Sequence, residues 1–259
     1  MPSELLTERQ GAVLVLTLSD PATRNTLSHQ AIAAGIEALN VAESDAGVPS
    51  VVLRGDGAHF CSGGNLAGLK ERRAAGVPAQ VQMLEHLHHF IEALRVFPKP
   101  VIAAVEGAAA GAGFALALAC DLIVAAEDAR FTLSYARLGL SPDAGATWSL
   151  AQALPRALLQ QLVWLAEPVS ARQLQGWGVV GWVTDNGQTS AEALRLAQRL
   201  GDMAPNAIAS GKELVQQAAS RSLREQLDAE RDHFVENLFH DNAAEGLLAF
   251  AEKRAPRFR

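Results

Sequence analysis

Residues 100–121 read PVIAAVEGAAAGAGFALALACD, and they carry the chain from a strand through a glycine turn into a helix. Residues 101–105 form a short apolar, partly β-branched run that suits a buried strand. Gly107, three alanines, Gly111 and Gly113 follow, and residues 114–120 read as a helix that is apolar all round and therefore buried. A glycine turn that opens a helix aims free backbone N–H groups, backed by the helix dipole, at something negative. Small residues let a ligand come close to that backbone.

A dinucleotide, a nucleotide phosphate and an oxyanion are the ligands to weigh. Gly111 and Gly113 fit the start of G-x-G-x-x-G, but Leu116 stands at the third glycine, and Arg130 and Phe131 stand where the ribose-binding acid belongs. No G-K-S/T opens the helix, so a nucleotide P-loop is excluded. There remain an oxyanion, such as the charge that develops on a carbonyl oxygen, and a tight turn packed by small residues with no ligand at all.

The chain has 259 residues, enough for one large domain or one domain with a small appendage. With 49% apolar and 19% charged residues it is globular. A net charge of −6 argues against a nucleic-acid surface. Cys61 and Cys120 imply no disulfide framework and fit a reducing cytoplasm. The first residues, MPSELLTERQG, lack the basic and apolar regions of a signal peptide. No apolar run is long enough to span a membrane.

Outward from the centre, strands are expected at 12–18, 50–54, 121–126, 130–133 and 179–184. Helices are expected at 29–43 with Ser28 as N-cap, at 78–97, from the turn at 141–145 to about 154, and then at 170–176, 190–203, 205–221, 223–240 and 242–253. The charged stretch 70–78 reads as a mobile surface segment. His86 and His89 share a helix face, but no third metal ligand is evident. Asp143, beside a helix start, is a natural N-cap. The strand–glycine–helix unit recurs, which suggests a sheet layered with helices, and the tail is too poor in strands to extend it.

Several stretches in this order resemble the crotonase, or enoyl-CoA hydratase/isomerase, superfamily. They are FCSGGNL at 60–66, KPVIAAVEG at 99–107, GAG at 111–113, Cys120-Asp121, Ala129-Arg130-Phe131 and FAEKR at 250–254. The resemblance spans nearly the whole chain. It implies an α/β spiral of ββα units over residues 1–200, a helical trimerisation region at 201–259, and a homotrimer or dimer of trimers. It also implies an acyl-CoA thioester substrate, with coenzyme A entering only as part of it, and no metal. The backbone N–H groups of Gly64 and Ala112 would hold the thioester oxygen as it becomes an enolate. Arg24, Ser62, Asn65, Leu66, Phe250 and Lys253 would contact coenzyme A.

The positions that match the two water-splitting glutamates of the family's hydratases hold Ala115 and Tyr135. Neither is a base at neutral pH. Asp143 is the carboxylate left in the neighbourhood, and some of the family's isomerases carry an acid there. Residues 125–148 resemble the epoxyphenylacetyl-CoA isomerases of phenylacetate breakdown in particular. Moving a double bond needs one base, so isomerisation is the expected reaction, with hydration and non-catalytic acyl-CoA binding as alternatives. Phe90, Tyr135 and Trp148 are candidates to line the acyl pocket, although core packing also accounts for each. Ala146, where many relatives have glycine, and the insertion-like residues 149–152 depart from the pattern.

Overall fold

The structure, a computed structural model, describes residues 3–258. In chain order the elements are β1 (Glu4–Gln10), β2 (Val13–Ser19), α1 (His29–Glu43), β3 (Ser50–Gly55), α2 (Leu66–Ala75), α3 (Val77–Val96), β4 (Val101–Val105), β5 (Ala108–Ala110), α4 (Ala112–Ala119), β6 (Leu122–Ala126) and β7 (Arg130–Thr132). Then come α5 (Ala146–Ala153), α6 (Arg156–Leu165), β8 (Val169–Ser170), α7 (Ala171–Gly176), β9 (Trp182–Thr184), α8 (Thr189–Gly201), α9 (Pro205–Ala218), α10 (Leu223–Leu238) and α11 (Asp241–Ala251). Six strands form the main sheet in the order β1-β2-β3-β4-β6-β9, and β5-β7-β8 form a smaller one. Only β1–β2 is antiparallel in the main sheet.

Successive strand side chains point to opposite faces, and the core follows that alternation. Val51, Leu53, Val101, Ala103 and Val105 point into the larger cluster, which holds buried residues of α1, α3 and α4. Val52, Ile102, Ala104 and Val124 point the other way, onto Ala193, Leu196 and Ala197 of α8. Because β4 is covered on both faces, it reads as a continuous apolar run. Ser28 caps α1 by accepting the Ala31 N–H at 3.0 Å, as expected.

Several expectations need correction. Residues 4–10 form a strand that was not anticipated, because an exposed edge strand such as ELLTERQ shows little apolar alternation; its register comes from β2. The stretch 70–78 is not an irregular segment. Residues 66–75 are helical, the break is confined to Gly76 (φ +99°), and α3 starts at Val77. Asn65 caps this helix, and Arg72 Nε donates to Gln80 Oε1 of α3 at 2.8 Å. The alanines at 108–110 are a strand and not a turn, because β7 pairs with them. From the strand-poor half, β8 joins the small sheet and β9 extends the main one.

Helix α9 docks on the body through polar contacts. Lys212 Nζ donates to Asp121 Oδ2 at 2.9 Å and to the carbonyls of Leu94 and Lys99 at 3.3 and 3.4 Å, and Gln216 donates to the Arg95 carbonyl at 2.7 Å. Asp121 also accepts the Val101 N–H at 2.8 Å, at the start of β4. Burial raises the Asp121 pKa above the usual carboxylate range, against the pull of Lys212. Replacing Lys212 by Met leaves that partly exposed carboxylate without its cation. Chemical denaturation at neutral pH should show a loss of about 1–2 kcal/mol, because solvent reaching Asp121 screens the unpaired charge. The sign with pH follows from the raised folded-state pKa, which rises further without lysine. The protonated acid needs no cation, so the deficit should shrink as pH falls through that pKa. A loss that does not vary with pH would show that Asp121 is not the group left unpaired.

Candidate active site

Two backbone segments meet at the centre of the chain. The stretch after β3 returns beside β5: Phe60 N–H donates to the Glu106 carbonyl at 2.8 Å, Cys61 N–H to Ala108 at 3.1 Å, and Ala110 N–H to Cys61 at 2.9 Å. It then runs against the start of α4. A Cβ on Gly113 would lie 2.2 Å from the Cys61 carbonyl oxygen, and one on Gly63 would lie 2.6 Å from the Ala110 carbonyl and 3.1 Å from the Ala112 nitrogen. Both glycines are therefore required by the approach itself. On its other side the segment is held by Ser62 N–H to Arg24 (2.9 Å), Leu27 N–H to Gly63 (2.8 Å) and the buried amide of Asn25, which donates to the carbonyls of Asp56 and His59 at 2.9 and 2.7 Å.

This arrangement brings Gly64 and Ala112 to one place. Leu27 bridges Gly64 through the Gly63 carbonyl, which leaves the Gly64 N–H pointing away from that ladder. Ala112 is the first residue of α4, and the N-cap, Gly111, supplies no side-chain acceptor. The leading N–H groups of a helix have no partner within it. Gly64 is exposed and Ala112 buried, so the site opens outward from the core.

Asp143 stands beside this helix end and does not cap α5. The N-cap of α5 is Gly145, with no side-chain hydrogen bond. Ala144 (φ +51°) and Gly145 (φ +75°) are both left-handed, and the turn they make precedes the helix. The carboxylate instead accepts a hydrogen bond from the Tyr135 hydroxyl, 2.5 Å from Oδ1. Burial raises the Asp143 pKa above the usual carboxylate range, opposed by the Tyr135 hydrogen bond and by His88 of α3. Burial and the Asp143 charge together push the Tyr135 phenol well above its ordinary value, so it is a donor. Cys61 is fully buried and its thiol is pushed up to about 12, so it stays neutral. Ala115 is buried within α4 and offers no proton-transfer group.

The remaining candidates are placed as follows. Phe90 is fully buried with its ring against Gly35 of α1, where a Cβ would meet it at 2.6 Å; it packs the core between α1 and α3. Trp148 on α5 is half exposed, with the Arg95 guanidinium 4.4 Å from its ring centroid. Asn65 uses its side-chain oxygen to accept the Ala67 and Gly68 N–H groups at 2.9 and 3.3 Å, and the Ser62 hydroxyl donates to the Thr23 carbonyl at 2.9 Å. Arg24 and Leu66 are exposed on the same rim. Phe250 and Lys253 are exposed at the end of α11, in the tail. His88 of α3 bears on Asp143, a tertiary fact that no local pattern signals. Among the described residues no group of three potential ligands is placed to hold a metal, and no helix is long and apolar enough to cross a membrane.

The chain matches the family profile described as enoyl-CoA hydratase/isomerase over residues 8–259. It is 34% identical over 257 residues to the 2,3-dehydroadipyl-CoA hydratase of Escherichia coli, covering 99% of each chain. It is also 34% identical over 257 residues to the 1,2-epoxyphenylacetyl-CoA isomerase of the same organism, covering 98% of this chain and 97% of that one. Among solved structures, an enoyl-CoA hydratase from Polaromonas sp. JS666 superposes with a TM-score of 0.98 at 52% identity, covering 99% of this chain and 100% of the other. The two sheets, the buried central helix and the whole-length match agree: the chain belongs to the enoyl-CoA hydratase/isomerase, or crotonase, family.

Proposed function

We propose that this chain isomerises acyl-CoA thioesters, with Asp143 as the base that moves the proton. The observation that carries this reading is the Asp143 carboxylate, held by Tyr135 beside the end of α4. Ala115 and Tyr135 stand where a water-adding site would need its two glutamates. In the forward step, Asp143 takes a proton from a carbon activated by the thioester. The C–H bonding pair moves toward the carbonyl oxygen, and an O–H bond forms on the carboxylate. The Gly64 and Ala112 N–H groups donate to that oxygen as it becomes negative, where each such donor contributes about 2.7–4 kcal/mol. Return of the proton to the far carbon of the allylic unit restores Asp143 and leaves the double bond shifted.

The rim supports the ligand class. Arg24 offers an exposed cation beside the 62–66 turn, and Phe250 and Lys253 lie in the tail. With the Asn65 side chain engaged in capping α2, its contact to coenzyme A would come from the backbone. Cytoplasmic CoA-ester catabolism, including that of aromatic acids, fits the likeness to the epoxyphenylacetyl-CoA isomerase. Hydration is the second reading, favoured by the names of the Polaromonas structure and the dehydroadipyl-CoA relative. A non-catalytic binder is the third.

Incubation with 3-enoyl-CoA and 2-enoyl-CoA in turn separates the three. The first should be isomerised and the second should gain no water above background; rapid hydration would overturn the assignment, and inertness to both would favour the binder. Asp143→Asn keeps an oxygen to accept from Tyr135 and should lower turnover by about 10²–10⁴-fold with acyl-CoA affinity nearly unchanged. Asp143 works ionised, so activity should fall as pH drops through its pKa. That acid limb should lie above the usual carboxylate range, because burial raises the Asp143 pKa.

The tail bears on assembly. By itself α10 buries none of its residues, and it exposes Leu223, Phe234 and, just past its end, Phe239, while α11 exposes Leu247 and Phe250. We propose that residues 201–259 pack between subunits of a trimer or a dimer of trimers, where that surface leaves water. Light scattering at micromolar protein should give a mass of three or six chains, and a stable monomer would refute the assembly.

A further inference from the structure

We infer that Tyr135 is a positioning residue for the base: its hydroxyl holds Oδ1 of Asp143, so that Oδ2 is the oxygen that receives the substrate proton. The inference rests on the reading of Asp143 as the base. Its support is geometric. Tyr135 is buried, and its carbonyl accepts the N–H groups of Leu138 and Leu140 at 2.9 and 3.0 Å, which fixes its backbone. Its ring lies over Gly111, where a Cβ would be 3.6 Å from the hydroxyl oxygen, so the phenol spans the gap between the α4 end and the 141–145 turn. The hydroxyl donates to Oδ1 at 2.5 Å. A carboxylate only accepts, so the proton belongs to the phenol.

Two consequences follow. The phenol occupies Oδ1, and among the described residues no other side chain donates to the carboxylate, which leaves Oδ2 as the atom that takes the proton. The donated hydrogen bond also favours the ionised form, against a burial that would otherwise neutralise the base. His88, from α3, pushes in the same direction, while Cys61 stays a neutral thiol beside the phenol. Tyr135 itself keeps its proton throughout the cycle. In the forward step the C–H bond breaks, the Asp143 Oδ2–H bond forms, and the electron pair rests on the thioester oxygen.

Tyr135→Phe removes the donor and keeps the ring. The acid limb of kcat/KM should move up by about one unit, kcat should fall roughly ten- to a hundredfold, and KM should change by less than about threefold. In an Asp143→Asn background the same change should cost almost nothing further, the non-additivity expected of a coupled pair. A folded, active Tyr135→Phe enzyme with an unmoved limb, or full additivity with Asp143→Asn, would overturn the inference and leave the base assignment standing. Wild-type protein inert to enoyl-CoA would instead sink the base assignment.

A second readout covers a Phe variant that fails to fold. Tyr135 is the chain's one tyrosine, so growth on 3-fluorotyrosine alters and labels this residue alone. The more acidic fluorophenol donates more strongly and should move the acid limb down. Its fluorine resonance should shift between wild type and Asp143→Asn, whereas an unchanged resonance would overturn the contact. The tyrosinate absorption band should appear only at higher pH than that of an ordinary phenol, because burial and the Asp143 charge raise the Tyr135 pKa.

Discussion

The site depends on how closely the Cys61 carbonyl approaches the first turn of α4. With no side chain at Gly113 or Gly63, the 60–64 segment lies directly on the helix end, and the two backbone donors come together. A methyl group at 113 would fall inside the van der Waals radius of the Cys61 oxygen, so the segments would have to part by more than an ångström. Much of the surrounding structure serves that contact. The Asn25 amide, the Arg24 carbonyl and the Leu27 N–H hold the segment from outside, and β5 holds it from inside. The apolar helix behind it is packed all round by the core, and its N-terminal dipole faces the site from that buried element.

Burial creates a conflict that the neighbouring residues offset. A carboxylate placed in such a setting tends to hold its proton and stop acting as a base. The Tyr135 hydroxyl and the His88 ring oppose that tendency at Asp143. What results is a carboxylate whose pKa is raised but still opposed, which suits a group that must both accept and return a proton. A second carboxylate here would add like-charge repulsion. Ala115 and Tyr135 avoid it, and the phenol fills the space while supplying a hydrogen bond.

What was legible in the sequence is what is encoded locally. The strand–glycine–helix unit at 100–121, the Ser28 cap and the starts and ends of most helices depend on residues a few positions apart. The edge strand 4–10 was not legible, because its register is imposed by β2. Helix α2 was misread because its charge and small residues hid the Asn65 cap. The resemblance singles out Asp143, whereas its local signal, an acid just before a helix, points to capping. The partner that matters lies eight residues back across a turn that only the folded chain closes. Phe90 shows the converse: an aromatic read as a possible pocket wall lies against Gly35 because two helices cross there.

The central claim is that Asp143 draws a proton from carbon while two backbone N–H groups hold the resulting enolate. It is tested most directly with a saturated acyl-CoA, which offers a proton next to the thioester and no double bond to shift or hydrate. Incubated with the enzyme in deuterated buffer, it should exchange that proton for deuterium, as followed by NMR. Asp143→Asn should reduce the exchange to the uncatalysed rate while still binding the thioester. Exchange that persists undiminished in the Asp143→Asn protein would contradict the account, because another group would then be the base.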